Sequence, residues 1–326
     1  MWVVQRKEHK LARILVTGGS GFIGAALVHE LAGRGDRVAV LDLGESRAVA
    51  CARKRFPKAI GFHPCDVSDW PQIAQAFKQF RPDTVVHCAA IVGVLNSVAS
   101  PRATIRVNIE GSINVLEAMR LFDVKRMVNI SSEEIYGHFT ADLIEEGHPC
   151  RPIKAYGITK FAVEQFARDY VRTHGLEVLN VRTCWVYGPG LPRPRVPNIL
   201  VDAALEGRPL HLESGADFRV DHVYVQDCVQ GILRVLDAAR PAHDAYHIAT
   251  GQAPSLGEIV RIIHELVPGA KLSVGPGGYA FGKSVEAVRK GALDISRARS
   301  EFGYEPQFDI RRGLEAYVAW RRHEAV

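Results

Sequence analysis

The stretch Thr17-Gly18-Gly19-Ser20-Gly21-Phe22-Ile23-Gly24 decides the fold. It follows a short β-branched run, Arg13–Thr17 (RILVT), and opens Phe22–Ala32, whose apolar residues have helical spacing. Glycines at such a junction allow a tight turn, let the backbone approach a pyrophosphate, and let the helix pack closely on the strand. The helix N-terminus presents unpaired N–H groups to phosphate oxygens. The stretch therefore predicts a dinucleotide-binding strand–turn–helix unit.

Strand and helix patterns alternate through the rest of the first half. The further predicted strands are Arg37–Leu41, Lys58–His63, Asp83–Cys88, Arg126–Ile130 and Glu177–Arg182, and the predicted helices are Pro71–Phe80, Pro101–Phe122 and Lys154–His174. Alternation of this kind implies parallel βαβ units, and right-handed crossovers cover both sheet faces with helices. We therefore expect an α/β fold with a Rossmann-type, doubly wound parallel sheet.

The pattern changes after Tyr187. The segment Gly188–Pro197 (GPGLPRPRVP) holds four prolines, which exclude a regular helix or a central strand. Shorter elements follow, predicted at Asn198–Glu206, Leu210–Leu212, Asp227–Ala238, Leu256–Leu266 and Arg311–Arg322, with a loop at Gly275–Gly278. We predict a smaller, interleaved C-terminal substrate-binding domain. Residues 12–186 would form the nucleotide-binding domain, to which 217–249 return; 187–216 and 250–326 would form the cap, and 1–11 a flexible tail.

Composition excludes several classes of protein. Of 326 residues, 47% are hydrophobic and 24% charged, as in ordinary globular proteins. No apolar run reaches the ~18 residues that span a bilayer, and the N-terminus lacks an apolar signal region, so we expect a cytoplasmic protein without membrane contact. The net charge of +5 is scattered, which argues against nucleic-acid binding. The six cysteines lack CxxC or zinc-ligand spacing, so we expect reduced thiols and no metal site.

Asp42 ends the second predicted strand, 18 residues after Gly24. Dinucleotide-binding folds place an acidic residue about 20 residues beyond the glycine turn, where it accepts hydrogen bonds from the adenosine ribose. A carboxylate there repels the 2′-phosphate of NADP, so Asp42 predicts NAD. The alternative is a solvated strand-end aspartate, and the nearby Arg47 would weaken the preference.

A second constellation lies in the middle of the chain. Ser131 and Ser132 follow the fifth strand, at the end of the sheet where open α/β folds bind ligands. Tyr156 and Lys160 are four residues apart in a predicted helix and share one face. A phenol with a pKa of ~10 is a poor base, but a nearby ammonium lowers that pKa. Ser132 would hydrogen-bond the same substrate oxygen as Tyr156.

These motifs together resemble a known family. The matching runs are TGGSGFIG, VVHCAA, NIEGSINVLEA, ISSEEIYG, AYGITK and RTCWVYGPG, with DHVYVQDCVQGI and FGYEPQFDIRRGLEAYVAW later in the chain. They resemble the extended short-chain dehydrogenase/reductases, in the NAD-dependent epimerase/dehydratase branch. The resemblance extends from about Arg13 to the C-terminal helix.

The resemblance implies roles for individual residues. Tyr156 would be the catalytic acid/base, Lys160 its partner on the nicotinamide ribose, and Ser132 the third member. Asp66 and Val67 would meet the adenine, Ala89 and Ala90 would lie beneath the cofactor, and Asn108 would hold the cofactor pocket. The implied cofactor-binding set is Gly18, Gly21, Phe22, Ile23, Gly24, Asp42, Asp66, Val67, Ala89, Ala90, Asn108, Tyr156 and Lys160.

Two departures from the family concern the substrate. Trp185 occupies a position where sugar-nucleotide enzymes of the family often have asparagine. Arg219 lies one place earlier than the family's arginine, and a one-residue slip turns a strand side chain to the other face, which puts its phosphate-binding role in doubt. Arg193, Arg195 and Arg289 are the other candidates for binding an anionic group. The predicted substrate-binding residues are Glu133, Trp185, Arg219 and Arg289.

Glu133 and Glu134 come directly after Ser132, where family dehydratases often carry a Thr-Asp-Glu run. Next to a ketone, Glu134 would act as a general base and a second carboxyl would protonate the departing hydroxyl.

We therefore expect an NAD-dependent epimerase or dehydratase that acts on a nucleotide sugar through a transient keto intermediate and recycles NAD in place. The alternatives are a net dehydrogenase or reductase of a smaller polyol, sugar acid or lactone, and a non-catalytic dinucleotide-binding protein. The resemblance also implies a homodimer, paired through the helices near Pro101–Phe122 and Lys154–His174.

Overall fold

A seven-stranded parallel sheet forms the centre of the computed structural model, which describes residues 11–192, 194–281, 285–286 and 288–324. The strands of the described residues are Arg13–Thr17 (β1), Arg37–Asp42 (β2), Ile60–Pro64 (β3), Thr84–His87 (β4), Arg126–Ser132 (β5), Leu143–Ile144 (β6), Glu177–Thr183 (β7), Trp185–Tyr187 (β8), Leu210–Leu212 (β9), His222–Tyr224 (β10), Ala245–Ile248 (β11), Leu272–Val274 (β12), Ala280–Phe281 (β13), Val285–Glu286 (β14) and Ala292–Leu293 (β15).

The helices connect these strands and cover the sheet. The α-helices of the described residues are Phe22–Gly33 (α1), Arg47–Arg55 (α2), Trp70–Phe80 (α3), Val94–Ala99 (α4), Pro101–Ile105 (α5), Gly111–Leu121 (α6), Ala155–His174 (α7), Asn198–Leu205 (α8), Val225–Leu236 (α9), Leu256–Leu266 (α10), Ser296–Phe302 (α11) and Ile310–Glu324 (α12). A π-helical segment, Arg106–Glu110, links α5 to α6, and a 3₁₀ turn, Glu133–Tyr136, comes after β5.

The strand order of the sheet indicates where a ligand-binding crevice lies. The sheet runs β3-β2-β1-β4-β5-β7-β11, and every neighbouring pair is parallel. The chain progresses outward from β1 to β3 and then resumes on the other side of β1 at β4, so the order reverses between β1 and β4. Open α/β sheets bind ligands at this switch point, beyond the carboxyl ends of the strands. The predicted Rossmann-type sheet is confirmed.

One predicted helix needs correction, and helix α2 is among the elements that were not predicted. The single helix expected over 101–122 is divided into α5, the π-helical segment and α6. In the π-helical segment the buried Asn108 side chain hydrogen-bonds both backbone groups of Ile91, a long-range contact that sequence periodicity does not report. Helix α2 was not predicted, because its sequence is rich in arginine and lysine and it buries only Val49 and Ala52.

Two apolar clusters among the described residues form separate cores, one around the central sheet and one among the C-terminal elements. One packs α1 and α9 on the sheet and includes Tyr246 of β11. Another joins β8 and β10 to α8, α10 and α12, and Leu200, Leu256 and Leu314 are completely buried in it. These clusters are our physical basis for dividing the chain, but the exact domain boundaries stay a prediction.

Membrane-spanning elements and disulfides are absent from the part of the chain that the structure describes. No helix there is long and apolar enough to cross a bilayer. All six cysteines are free; Cys65, Cys184 and Cys228 are buried, and Cys51 is exposed. The cytoplasmic location stays a prediction.

A buried ion pair fixes α7 against the sheet. Arg182 of β7 donates two hydrogen bonds to Glu164 of α7, at 3.0 and 2.7 Å, and neither side chain is more than 3% exposed. Ser131 of β5 donates to the same carboxylate at 2.6 Å. Arg182 also donates to the Tyr136 hydroxyl, at 2.8 Å. The position of α7 is therefore set by directional contacts as well as by apolar packing.

We expect Glu164→Gln to destabilise the fold by about 3–5 kcal/mol, because removing one partner leaves the Arg182 charge buried and uncompensated. The measurement is urea unfolding followed by circular dichroism. The control is Asp169→Asn, which removes an exposed pair with Arg172 on the same helix and should change stability by at most about 0.5 kcal/mol. Equal effects of the two substitutions would contradict the assigned role of the ion pair.

Candidate active site

A cleft of about 940 Å³ lies beyond the carboxyl ends of the central strands. Most of the residues singled out in the sequence line it. They are Gly18, Gly21, Phe22, Ile23, Gly24, Asp42, Asp66, Val67, Ala89, Ala90, Ser131, Ser132, Glu133, Glu134, Tyr156, Lys160, Trp185 and Arg195. The fold thus brings motifs from the first 200 residues to a single site.

The glycine turn forms a cradle that side chains would fill. Gly18 has φ +65°, and a Cβ there would lie 2.5 Å from the backbone nitrogen of Ala89. A Cβ on Gly24 would lie 2.3 Å from the carbonyl oxygen of Gly18. Such contacts exclude any side chain at these two positions. The β1–α1 turn therefore has the open backbone surface that a pyrophosphate requires.

Asp42 is held at the end of β2 beside this turn. One of its carboxylate oxygens accepts from the backbone N–H of Ser20 at 2.9 Å, and the other from that of Leu43 at 2.8 Å. A carboxylate has about four acceptor positions, so Asp42 retains capacity for two ribose hydroxyls. The turn and the carboxylate together fit a dinucleotide with an unphosphorylated adenosine ribose.

Asn108 differs from the other predicted cofactor residues, because it is buried and does not line the cleft. Its amide accepts from the backbone N–H of Ile91 at 2.7 Å and donates to the Thr159 hydroxyl at 3.0 Å. Asn108 therefore joins the loop after β4 to α7. This position agrees with the expectation that Asn108 holds the cofactor pocket, and direct contact of Asn108 with the cofactor stays a prediction.

Helix α7 carries Tyr156 and Lys160 on its first turns. A Cβ on Gly157 would lie 2.3 Å from the carbonyl oxygen of Glu134, so the helix begins in direct contact with the 3₁₀ turn. The Lys160 ammonium donates to the carbonyl of Ile130 at 2.7 Å, and burial lowers its pKa to about 8. The Ser132 hydroxyl accepts from the backbone N–H of Glu134 at 3.2 Å. Tyr156, Lys160 and Ser132 all face the same cleft.

Two acidic side chains lie beside this group. Glu133 is 1% exposed and Glu134 9% exposed. Burial raises the pKa of the Glu133 carboxyl; the ammonium of Lys290 opposes that shift, and the charges of Glu134 and Asp221 add to it. The site therefore contains a buried carboxyl that favours its protonated form next to a second carboxyl.

Two of the predicted substrate residues do not reach the cleft. Arg219 donates to the carbonyl of Ala253 and to Glu258, at 3.1 and 3.2 Å, and its side chain is 55% exposed. Arg289 pairs with Asp142 at 3.1 Å and is 58% exposed. Both pair with acidic groups at the surface, so their assignment as substrate-binding residues is corrected.

Arg195 lies in the cleft instead. Its guanidinium carbon lies 4.7 Å from the centre of the Trp185 ring, and both residues line the cavity. Such stacking is a favourable cation–π geometry. Arg193, the remaining candidate, lies outside the described residues.

Lys290 was missed by the sequence analysis. It is 5% exposed, whereas its neighbour Arg289 is among the exposed residues. The sequence signal for a buried basic residue was Val288 followed by Arg289 and Lys290. In an extended segment two successive side chains point to opposite sides, so one of the two basic residues is expected to point inward. Nothing in the sequence decides which of the two points inward.

Metal chemistry has no candidate site in the described ranges. No three histidine, cysteine, aspartate or glutamate side chains there are placed to hold an ion.

Comparison with known proteins decides the family. The family model described as "NAD dependent epimerase/dehydratase family" matches residues 14–249. The chain belongs to this family. It is 32% identical over 317 residues to a putative UDP-glucose 4-epimerase of Methanocaldococcus jannaschii. The aligned residues cover 95% of this chain and 98% of that protein.

Other relatives have a different activity or a solved structure. A dTDP-glucose 4,6-dehydratase of Actinoplanes sp. is 31% identical over 330 residues, covering 95% of this chain and 98% of that protein. The crystal structure of Thermus thermophilus UDP-glucose 4-epimerase in complex with NAD matches with a TM-score of 0.82 at 30% identity, over 95% of this chain and 99% of that one. The cofactor is NAD, and the glycine cradle and Asp42 fit it.

We expect the wild-type protein to bind NAD more tightly than NADP. Asp42→Ser should reduce the ratio of the NADP and NAD dissociation constants by about tenfold or more, because charge-assisted hydrogen bonds to the ribose are lost. Calorimetric titration with both dinucleotides measures the ratio. Asp123→Asn, an exposed change away from the cleft, is the control. Tighter binding of NADP to the wild-type protein would show that Asp42 does not select the cofactor.

Proposed function

We propose that the protein is an NAD-dependent epimerase or dehydratase that acts on a nucleotide sugar through a transient keto intermediate and regenerates NAD in place. One observation carries the proposal: the glycine cradle, the Ser132–Tyr156–Lys160 group and two buried carboxyls line one continuous cleft. The epimerase and dehydratase relatives are named for UDP-glucose and dTDP-glucose, which supports a nucleotide sugar as the substrate.

Tyr156 is the base for the oxidation step in this proposal. Its phenolate would take the proton of the sugar hydroxyl, with Ser132 hydrogen-bonded to the same oxygen. Lys160 stabilises the phenolate, because its buried ammonium is bonded to a neutral carbonyl and its charge is not compensated there. Bound NAD supplies the hydride acceptor and later returns the hydride. Since the hydride is returned within the site, the reaction needs no second redox partner.

Epimerisation and dehydration differ in the step after the oxidation. In a 4-epimerisation the keto sugar rotates and is reduced on its other face, which needs no further acid or base. In a dehydration a base removes the proton on the carbon beside the ketone and an acid protonates the leaving hydroxyl. Epimerisation is the first candidate because the family includes it widely. The carboxyls of Glu133 and Glu134 in the cleft favour dehydration as the second candidate.

A net dehydrogenase or reductase of a smaller substrate is the third candidate. Arg219 and Arg289 lie outside the cleft, so Arg195 is the basic side chain at its substrate end among the described residues. A single arginine suits a sugar acid, a lactone or a polyol, because each of these substrates carries less negative charge than a diphosphate. Measured release of NADH in amounts equal to product would favour this candidate over in-place recycling.

A homodimer is also proposed. The apolar side chains of Leu95, Val98, Ile105, Ile158 and Phe166, on α4, α5 and α7, are each at least 40% exposed. Ile158 and Phe166 are eight residues apart and lie on one face of α7. A surface of this kind is typical of a protein–protein interface. Ile105, Ile158 and Phe166 lie in the helices that the resemblance implied, whereas Leu95 and Val98 of α4 precede them.

We expect Tyr156→Phe to slow the first turnover about 10²–10⁴-fold, because the ring is kept and the proton acceptor is lost. The measurement is rapid-quench conversion of UDP-glucose and of dTDP-glucose, with NAD affinity measured alongside and expected to be unchanged. Lys160→Ala should impair both turnover and NAD binding. The control is Tyr170→Phe, whose hydroxyl bonds Glu117 away from the cleft. Near-normal turnover in Tyr156→Phe would remove Tyr156 from the mechanism.

Reaction in D₂O distinguishes epimerisation from dehydration. If Glu134 is a base, the product carries deuterium on the carbon beside the oxidised one, and Glu134→Gln abolishes this label because an amide cannot remove the proton. NMR of the product measures the label, and the exposed Glu145→Gln is the control. A product without carbon-bound deuterium, together with full activity of Glu134→Gln, would contradict the role of Glu134 and leave rotation of the keto sugar as the mechanism.

A further inference from the structure

A buried lysine lies directly against the two acidic side chains of the cleft. The Lys290 ammonium is 3.4 Å from Glu134 Oε2 and 3.9 Å from Glu133 Oε1. The side chains of Lys290 and Glu133 are 2% and 1% exposed, and that of Glu134 is 11% exposed. We call these three residues the carboxylate–lysine cluster. It contains one positive group and two acidic groups, and water reaches little of it.

The cluster is short of hydrogen bonds. Both carboxyl oxygens of Glu133 and the Lys290 nitrogen lack a hydrogen-bond partner within the described part of the chain. The ammonium lies 5.2 Å from the centre of the Phe139 ring, so an apolar surface borders it. Buried polar atoms without partners cost about 1–3 kcal/mol each. Such an arrangement is typical of a site whose remaining partner is a proton or a substrate group.

The backbone holds Lys290 in this place. The carbonyl of Arg289 accepts from the N–H of Phe139 at 3.0 Å, and the N–H of Arg289 donates to His138 at 2.9 Å. A Cβ on Gly291 would lie 2.3 Å from the carbonyl oxygen of Asp142, so that contact permits only glycine. Residues 289–291 are therefore clamped to the segment that continues from the 3₁₀ turn carrying Glu133 and Glu134.

The charges around the cluster favour a single shared proton. Two ionised carboxylates and one ammonium would leave one net negative charge in a buried site. Asp221, which is buried nearby, adds repulsion, and Arg195 on the cleft side adds attraction. The Cys184 thiol also faces the cluster, but burial raises its pKa well above the ordinary value and keeps it neutral. Removing one negative charge by protonation relieves the repulsion between the two carboxylates.

We propose that Lys290 is a positioning residue that holds Glu133 and Glu134 as a one-proton pair, with Glu134 ionised against the ammonium and Glu133 carrying the proton. The shorter distance from Lys290 to Glu134 and the more complete burial of Glu133 set this distribution. Lys290 itself does not line the cleft, so it acts through the two carboxyls.

The pair provides an acid and a base at the same pH, a consequence that rests on the proposed function. Glu134 takes the proton from the carbon beside the ketone, and the electron pair of that C–H bond forms a carbon–carbon double bond. The bond from the next carbon to its hydroxyl breaks, and Glu133 gives its proton to the hydroxyl, which leaves as water. The pair still holds one proton after the elimination, now on Glu134. Its charge is therefore unchanged during the step.

Infrared spectroscopy of the full-length NAD-bound protein, without any sugar, tests the proton count. A protonated carboxyl gives a C=O band that shifts in D₂O. The wild-type spectrum minus that of Glu133→Gln should contain one such band at pH 7, and subtraction removes the contribution of Asp221. Lys290→Met should raise the pH at which the cluster's carboxyl band disappears by about one unit or more, because the ammonium no longer favours the carboxylates. Arg289→Met, an exposed neighbour, should change nothing.

Two further variants keep the proposal falsifiable if Lys290→Met does not fold. Lys290→Arg keeps the charge and should keep the band. Glu134→Gln leaves Lys290 with Glu133 as its only acidic partner in the cluster, so Glu133 should ionise and the band should be lost at pH 7.

The proposal is overturned if the difference spectrum has no D₂O-sensitive band at pH 7, if Lys290→Met titrates like Arg289→Met, or if Glu134→Gln retains the band. Inactivity toward a broad panel of nucleotide sugars, including UDP-glucose and dTDP-glucose, would overturn the proposed function and leave the proton count unaffected.

Discussion

The buried ion pair between Glu164 and Arg182 is the contact on which the active-site geometry depends. Besides its pairing with Glu164 of α7, Arg182 donates from Nη1 to the Tyr136 hydroxyl and to the carbonyl of Glu146, both at 2.8 Å. Tyr136 contacts His247 of β11 at 2.6 Å, and the other nitrogen of His247 lies 3.0 Å from the carbonyl of Asp294. Since that nitrogen must donate to the carbonyl, His247 accepts from Tyr136. One network thus ties α7 to β7, to the 3₁₀ turn, to β11 and to the segments of Glu146 and Asp294. Tyr156 stands two turns before Glu164 on the same helix.

The motif ISSEEIYG is divided between this network and the cleft. The side chains of Ser131 and Tyr136 are hydrogen-bonded inside the network, with Glu164 and with Arg182 and His247. Ser132, Glu133 and Glu134 line the cleft, and Ser131 lines it too while its hydroxyl donates to Glu164 in the network. Ser131 and Ser132 are successive residues of β5 and therefore point to opposite sides of the strand, and the 3₁₀ turn begins directly after them. The segment therefore carries structural and chemical roles in residues that are adjacent in sequence.

The sequence was informative where local geometry alone decides the position of a side chain. The glycine turn, Asp42 at a strand end, and Tyr156 and Lys160 one helical turn apart were all placed in the cleft, because strand ends and helix faces derive from short-range periodicity. Arg219, Arg289, Arg195 and Lys290 belong to irregular segments with no such periodicity. Their directions depend on long-range partners, such as Glu258 for Arg219 and Asp142 for Arg289, which a single sequence does not reveal.

The two buried lysines of the site have different tasks because their partners differ. Lys160 donates to the neutral carbonyl of Ile130, and in the proposed function its charge acts on the phenol of Tyr156 and on the ribose of the cofactor. Lys290 faces two carboxyls, at 3.4 and 3.9 Å, whose negative charge opposes its own. Without the charge of Lys290, the carboxylates of Glu133 and Glu134 would repel each other with no ammonium beside them. In the proposed function, Lys160 therefore serves the cofactor and Lys290 serves the paired acids because of what each ammonium contacts, since the two side chains are chemically identical.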